Sequence, residues 1–322
     1  MNFYTIIIYG YIFTALLLAY FIIRDSKQKN LFFNRHKKLA YSLFFVLIFG
    51  IFCALYAHLI EPFILINKKI DVQISSFEHP VKIAFITDIQ AGKHKKTQWI
   101  EKIVQKTLDT NPDLVIFGGD LIDNEGVFED ESIYLESLKK ISDKYPSFYV
   151  LGNHEYGLGQ MDLSKRYLGT GNKTKELIDQ MKKNNIILLR NNLHCFKIKE
   201  QDLCLFGIDD IYAGKKDYSE LKNLPADTPL LLITHNPDGV LGYPKIFKKP
   251  DLVLAGHTHG GQVYLPIIGP IGSVDLILQR KFYRGLNYWE NTPIYTSVGV
   301  GESGGQIRFL SFPEIILFTL TP

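Results

Sequence analysis

The phrase Gly256-His257-Thr258-His259-Gly260-Gly261 places two imidazoles on either side of one threonine, directly after the apolar run Leu252-Val253-Leu254-Ala255. Upstream, Gly119-Asp120 and Gly152-Asn153-His154-Glu155 also follow short apolar runs, and His235 comes just after Leu230–Ile233. Imidazole nitrogens, carboxylates and an amide carbonyl are the donors that suit divalent cations. A shared carboxylate such as Asp120 can hold two cations ~3.5–4 Å apart, the spacing that activates a water and stabilises both oxygens of an in-line displacement at phosphorus. The chemistry expected is hydrolysis of a phosphate ester by a metal-held hydroxide. Each residue alone has an ordinary use: Asp120 or Asn153 as a helix cap, His235 as a core histidine. Their joint placement favours metal.

That placement depends on elements that carry each residue to one edge. Residues 81–87, 114–117 and 148–151 read as buried strands, and Asp88, Asp120 and the Asn153-His154 pair follow them in turn. Apolar spacing predicts helices over 99–108, 132–141 and 174–183. Short strand-like runs follow at 186–189, 194–198, 203–208, 230–233 and 252–254, and later at 294–298 and 315–320. In open α/β sheets ligands gather at the carboxyl ends of strands, so the polar residues after these runs should share a rim. Helices at the front and strands crowding the back predict a four-layer α/β/β/α sandwich.

Composition narrows the function classes. The 322 residues carry 36 basic and 33 acidic side chains, a net charge of +3. No nucleic-acid partner is expected from so even a balance, because such binding needs a concentrated basic face. No protein partner is inferred either. Three cysteines exclude a disulfide-dense scaffold. Cys195 and Cys204 flank a hairpin turn near Glu200-Gln201, either bonded across it in an oxidising compartment or two small buried residues on neighbouring strands.

Two uncharged apolar stretches, 3–23 and 39–60, are each long enough for a helix across a ~30 Å hydrocarbon core. Residues 63–66 extend the second beyond Glu61-Pro62. The first lacks the basic start and small-residue exit of a cleavable signal. The loop between them carries Arg24, Lys27, Lys29, Arg35, Lys37 and Lys38 against Asp25 alone, and short basic loops stay in the cytoplasm. The expected organisation is residues 1–66 as two transmembrane helices with a basic connector and 70–322 as a catalytic domain on the extracytoplasmic side of the inner or plasma membrane. His36 and His58 are expected to pack or sit at the interface.

Through Gly119-Asp120, Gly152-Asn153-His154-Glu155, His235 and Gly256-His257-Thr258-His259 the chain resembles the calcineurin-like metallophosphoesterases. The extended phrase over 256–266 is similar to their bacterial membrane-associated branch, which includes enzymes cleaving UDP-2,3-diacylglucosamine. The resemblance covers roughly residues 81–320. It implies that Asp88 and His259 bind one metal, that Asn153, His235 and His257 bind the other, and that Asp120 bridges. His154 would touch the phosphoryl oxygens or protonate the departing alkoxide.

One departure stands out: the family's Asp-x-His is here Asp88-Ile89-Gln90. Gln90 can ligate through its carbonyl oxygen, a harder and weaker donor that favours Mn2+ or Mg2+ over Zn2+, with Fe2+ a further alternative. His94 could substitute for it, or lie exposed in a basic turn with Lys93, Lys95 and Lys96. The loop over 156–173 could be a lid or a surface insertion. Arg280, Lys281 and Arg284, interleaved with Phe282 and Tyr283, could hold a diphosphate, rest on anionic headgroups, or form a solvated edge.

The function expected is a membrane-anchored hydrolase of phosphodiesters or diphosphates of an amphiphilic or cell-envelope substrate. The alternatives are a UDP-2,3-diacylglucosamine diphosphatase and a membrane scaffold that lost one metal through Gln90.

Overall fold

The apolar runs pair into two six-stranded sheets in a computed structural model, which describes residues 3–29, 31–75, 77–125, 130–159, 169–271 and 276–322. The strands are β1 Ile66–Gln73, β2 Val81–Ile86, β3 Leu114–Phe117, β4 Ser147–Tyr149, β5 Ile187–Leu188, β6 Asn192–Ile198 and β7 Gln201–Gly207. They continue as β8 Leu230–Ile233, β9 Leu252–Ala255, β10 Tyr264–Leu265, β11 Gly269–Pro270, β12 Gly285–Trp289, β13 Thr292–Thr296 and β14 Glu314–Thr321. One sheet runs β1-β14-β2-β3-β4-β5 and the other β12-β13-β9-β8-β7-β6, with β10 and β11 a separate small hairpin. Strands β2 to β5 are parallel to one another, as are β7, β8, β9 and β13.

Alternation within each strand sorts the side chains into layers. Ile83 and Phe85 of β2, Leu231 and Ile233 of β8, and Leu252 and Leu254 of β9 meet between the sheets. Ala84 and Ile86 face outward onto helices α4 (Thr97–Leu108) and α6 (Thr174–Lys183), through Ile100, Ile103, Leu177 and Met181. Leu230, Leu232 and Val253 face outward from the second sheet. The layer expected there is built from short 3-10 turns at Ser219–Asn223, Pro237–Val240 and Arg280–Tyr283.

Three local expectations differ from the structure. The helix expected over 132–141 is a 3-10 segment, Glu131–Leu138, followed by one turn of α-helix, α5 (Lys139–Ser142). Its buried Leu135, Leu138 and Ile141 recur every three residues, which is the 3-10 repeat. Strands β1 and β12 were not expected, because as edge strands they alternate half-buried with exposed residues and show no continuous apolar run. The apolar stretch after Pro62 does not prolong the second helix: Ile66 already opens β1 and pairs with Glu314.

Three helices precede the sheets: α1 Phe3–Lys27, the short α2 Phe32–Arg35 and α3 Lys37–Leu59. Spans Thr5–Lys27 and Lys37–Phe63 are long and apolar enough to cross a membrane. Phe13, Phe45 and Phe49 are each about two-thirds exposed (68%, 66% and 67%), where a soluble core helix would bury such rings. The end of α3 is bonded to the folded domain. His58 Nδ1 donates to the Gln306 carbonyl at 2.6 Å, Arg308 N to the Ala57 carbonyl at 2.8 Å, and the Glu61 carboxylate accepts from Leu310 N and Ser311 N.

Candidate metal centre

Asp88 follows β2, Asp120 follows β3, Asn153 and His154 follow β4, His235 follows β8, and His257 and His259 follow β9. The parallel order of these strands puts their carboxyl ends side by side, and all seven residues with Gln90 are buried there. Asp88, Gln90, Asp120, His257 and His259 adopt left-handed φ values of 50–71°. That backbone is costly for side-chain-bearing residues and concentrates where function requires it. Glycines make room: a β-carbon on Gly152 would overlap the Asp120 carboxylate, and one on Gly256 would overlap Thr87 Oγ1.

The donor atoms converge on small volumes. His235 Nε2 lies 3.1 Å from Asp120 Oδ2, 3.2 Å from Asn153 Oδ1 and 3.2 Å from His257 Nδ1. Ligands ~2.0–2.1 Å from one cation stand roughly 3.0–3.4 Å apart, so these separations fit a first coordination shell. A second group brings together Asp88, Asp120 and His259, with His259 Nε2 at 3.5 Å from Asp88 Oδ1. Asp120 belongs to both groups.

Neighbouring carbonyls aim the ring nitrogens. Nδ1 of His235 donates to Gly118 O at 2.9 Å, Nδ1 of His259 to Gly301 O at 3.3 Å, and Nδ1 of His154 to Asp123 O, leaving each Nε2 turned toward the carboxylates. Such backbone acceptors are the usual orienting partners of metal-binding imidazoles. Asn153 commits its Nδ2 to Leu158 O at 2.7 Å and so presents its oxygen. Gln90 donates Nε2 to Asp120 Oδ2 at 3.1 Å. Its Oε1 is buried with no hydrogen-bond partner. A buried acceptor without a partner is costly, and a bound cation is the partner that would satisfy it. The residues present therefore fit a dinuclear divalent centre.

The electrostatics agree. Burial alone would raise Asp120, but the positive imidazoles, His235 before His154, hold it well below the usual carboxylate range. Burial would lower His235 and His154, yet the Asp120 charge outweighs it and raises them to about 10 and about 9. Asp88 is pushed up to about 6, chiefly by burial. His259 is held down to about 3 by burial and then by Arg308, and burial with the His235 charge keeps His257 well below its ordinary value. The proton that Asp120 holds on His235 Nε2 lies where a cation would sit, and a cation there would displace it.

Several participants escaped the sequence reading. Glu155 clasps the site from beneath: its carboxylate accepts from Gly152 N (2.6 Å), Asp120 N (3.2 Å), Leu121 N (2.6 Å) and Ile122 N (3.3 Å). Asp123, Glu125 and His154 form a third cluster of ligating atoms on the flank. Ser303 Oγ sits 3.4 Å from His154 Nε2. His94 is exposed on the turn before α4. Lys95 overturns the expected solvated turn: it is 1% exposed, paired with Glu302 at 3.3 Å and 3.8 Å from the Trp99 ring centre. Its alkyl stem and charge are sheltered by aromatic faces, which a run of lysines in sequence does not disclose. Cys195 and Cys204 are bonded to each other across β6 and β7, and Cys53 is free. Residues 160–168 of the proposed lid lie outside the described residues; its ends are tied by Asn124, whose Nδ2 donates to His154 O and Gly171 O.

A sequence model of the calcineurin-like phosphoesterases matches residues 81–261, the segment that holds every candidate ligand, and the chain belongs to that family. It is 33% identical to an uncharacterized metallophosphoesterase of Campylobacter jejuni, over 79% of this chain and 62% of that protein. It is 26% identical to an uncharacterized metallophosphoesterase of Bacillus subtilis, over 82% of this chain and 88% of that one. The phosphodiesterase YaeI of Escherichia coli is 29% identical over 82% of this chain and 92% of its own length.

Proposed function

We propose that this chain is a membrane-anchored, metal-dependent phosphoesterase that hydrolyses a phosphodiester or diphosphate, with an amphiphilic or cell-envelope substrate. The observation that carries this reading is the approach of Asp120, Asn153 and His257 to within 3.1–3.2 Å of His235 Nε2, beside the buried unpartnered Oε1 of Gln90. Family membership and the phosphodiesterase relative support the reaction class.

In this reading Asp88, Gln90 and His259 hold one cation, Asn153, His235 and His257 the other, and Asp120 both. Bound divalent cations supply Lewis-acid activation of water and neutralise charge on the phosphoryl oxygens. His154, its Nδ1 committed to Asp123 O, would hold a proton at Nε2, 3.9 Å from Glu125, and give it to the departing oxygen. Gln90 in place of an imidazole favours Mn2+, with Mg2+, Fe2+ and Zn2+ as alternatives.

The two apolar spans support anchoring. The basic connector between them supports a catalytic domain outside the cytoplasm, and the Cys195–Cys204 bond supports the same side, since disulfides persist in oxidising compartments. That orientation disfavours the UDP-2,3-diacylglucosamine diphosphatase alternative, whose substrate is made on the cytoplasmic side.

The test is hydrolysis of bis-p-nitrophenyl phosphate by the purified full chain with Mn2+. Asp120→Ala and His257→Ala should each lower the rate on the order of a hundredfold or more. Wild type and variants equally inert across the four metals would leave the scaffold alternative standing. For orientation, a carboxyl-terminal reporter active only outside the cytoplasm should be active; a silent fusion reverses the side.

A further inference from the structure

The β10–β11 hairpin begins three residues past Gly261, at the edge of the candidate metal site, and the apolar side chains around its tip are exposed. Ile267 at its tip is fully exposed (106%), with Ile268 at 61% and Ile271 at 50%. Ile267 also sits at φ 75°, a conformation unfavourable for a β-branched residue. A glycine or asparagine would make that turn at lower cost, so the isoleucine side chain needs a reward that the described residues do not provide.

The hairpin's base shows where it lies. Tyr264 N donates to Phe309 O at 2.8 Å, and Val263 bridges to Phe309. Phe309 meets the Tyr56 ring of α3 edge to face, 6.4 Å between centres. The flanking residues of the same segment, Arg308, Leu310 and Ser311, are hydrogen-bonded to Ala57 and Glu61 at the end of α3. Ile267 is three positions past Tyr264, a reach of ~10 Å. The exposed tip is therefore held within ~10 Å of the Tyr264 backbone, which is bonded to the segment that touches the last turns of α3. Basic groups line its sides: the Arg284 guanidinium stacks 4.8 Å from the Tyr264 ring centre, Arg280 donates to Pro270 O at 2.8 Å, and Lys281 is exposed beside them.

We propose that the β10–β11 hairpin is a second membrane contact. Ile267, Ile268 and Ile271 enter the interfacial zone of the bilayer that α1 and α3 cross, while Arg280, Lys281 and Arg284 rest on anionic lipid phosphates. The proposal rests on the membrane-anchored reading above and deepens it by turning the metal site toward lipid. Continuity with the end of α3 selects the bilayer as occupant. Apolar side chains beside cationic ones are what an interfacial element presents, with penetration of ~5–10 Å. The site is one step away: Gln262, which follows Gly261, accepts from Ser303 N, and Ser303 Oγ faces His154.

The experiment uses the full chain in nanodiscs of phosphatidylcholine with phosphatidylglycerol, some lipids carrying nitroxide quenchers. A solvent-sensitive fluorophore is attached at Ile267→Cys in a Cys53→Ser background. The comparison site is Ile246→Cys, equally apolar and 89% exposed in the segment before β9. The label at 267 should be blue-shifted and quenched several-fold more than that at 246, and Lys281→Glu should reduce its quenching in anionic discs. Equal emission and quenching at both sites in incorporated protein overturns the hairpin contact alone and leaves the patch to a protein partner. A chain that does not incorporate into discs overturns the anchored reading and this proposal with it.

Discussion

Asp120 is the residue on which both halves of the site depend. Its Oδ1 accepts from His154 N at 3.0 Å, while its Oδ2 faces His235 and the Gln90 amide. Gln90 is the residue that sets this site apart from the family pattern. Because its buried Oε1 lacks a partner, Gln90→His should place a stronger donor in the same spot. The expected outcome is roughly tenfold or greater tightening for Zn2+, read by competition with a chromogenic chelator. Unchanged affinity would mean that position 90 faces no cation. The convergence of the candidate ligands was legible in the sequence because each follows a short apolar run and carries a side chain with specific chemistry. Glu155 was not, although it stands beside His154. Its partners are backbone amides of 120–122 and 152, and a backbone amide leaves no mark in a sequence. Removing that carboxylate with Glu155→Ala would strand four buried N–H groups, each worth ~1–3 kcal/mol when unsatisfied. A fall in thermal midpoint together with lost Mn2+ retention is expected; a variant as stable as wild type would refute the clasp.

At the scale of elements, the site exists because parallel strands end together. Strands β2, β3 and β4 deliver Asp88, Asp120 and Asn153 from one sheet, and β8 and β9 deliver His235, His257 and His259 from the other. The crossing from sheet to sheet is tight. His257 N, just past β9, donates to Asp88 Oδ1, just past β2, at 3.0 Å. A methyl group at Gly256 would meet Thr87 and the Asp88 carboxylate, so Gly256→Ala should displace a ligand. Overpacking of this kind costs ~1–3 kcal/mol, and the expected readout is loss of about half the bound metal with a modest fall in melting temperature. Full metal content in that variant would show that the β2 and β9 ends need not touch. Central strands such as β8 were legible to the residue because both faces are buried and the run is wholly apolar. The edge strand β1 was not, since it reads Ile-Asn-Lys-Lys-Ile-Asp-Val-Gln and its pairing with β14 joins residues more than 240 positions apart.

Across the whole molecule, a chain of charged groups joins the end of the apolar helix α3 to the candidate metal site. Lys95 Nζ donates to Pro62 O at 2.7 Å, just beyond α3, and pairs with Glu302. Glu302 pairs with Arg308 at 3.1 Å, and Arg308 in turn donates to Val298 O, Ser311 O and Gly301 O, the carbonyl that orients His259. Burial holds Lys95 down to about 8, only partly opposed by the Glu302 charge. An unfolded lysine titrates near ~10.4, so between about pH 8 and 10 the unfolded chain binds more protons than the folded one. Stability from this group therefore rises with pH across that window, and the cost of keeping Lys95 charged, on the order of a few kcal/mol, is fully present below it. Lys95→Met has no such titration. The thermal midpoint of the wild type relative to that of the variant, in the same detergent, should rise as pH climbs from about 7 to 10. Parallel curves would show that Lys95 is hydrated in the folded chain, and with that the packed link from span to site would be lost.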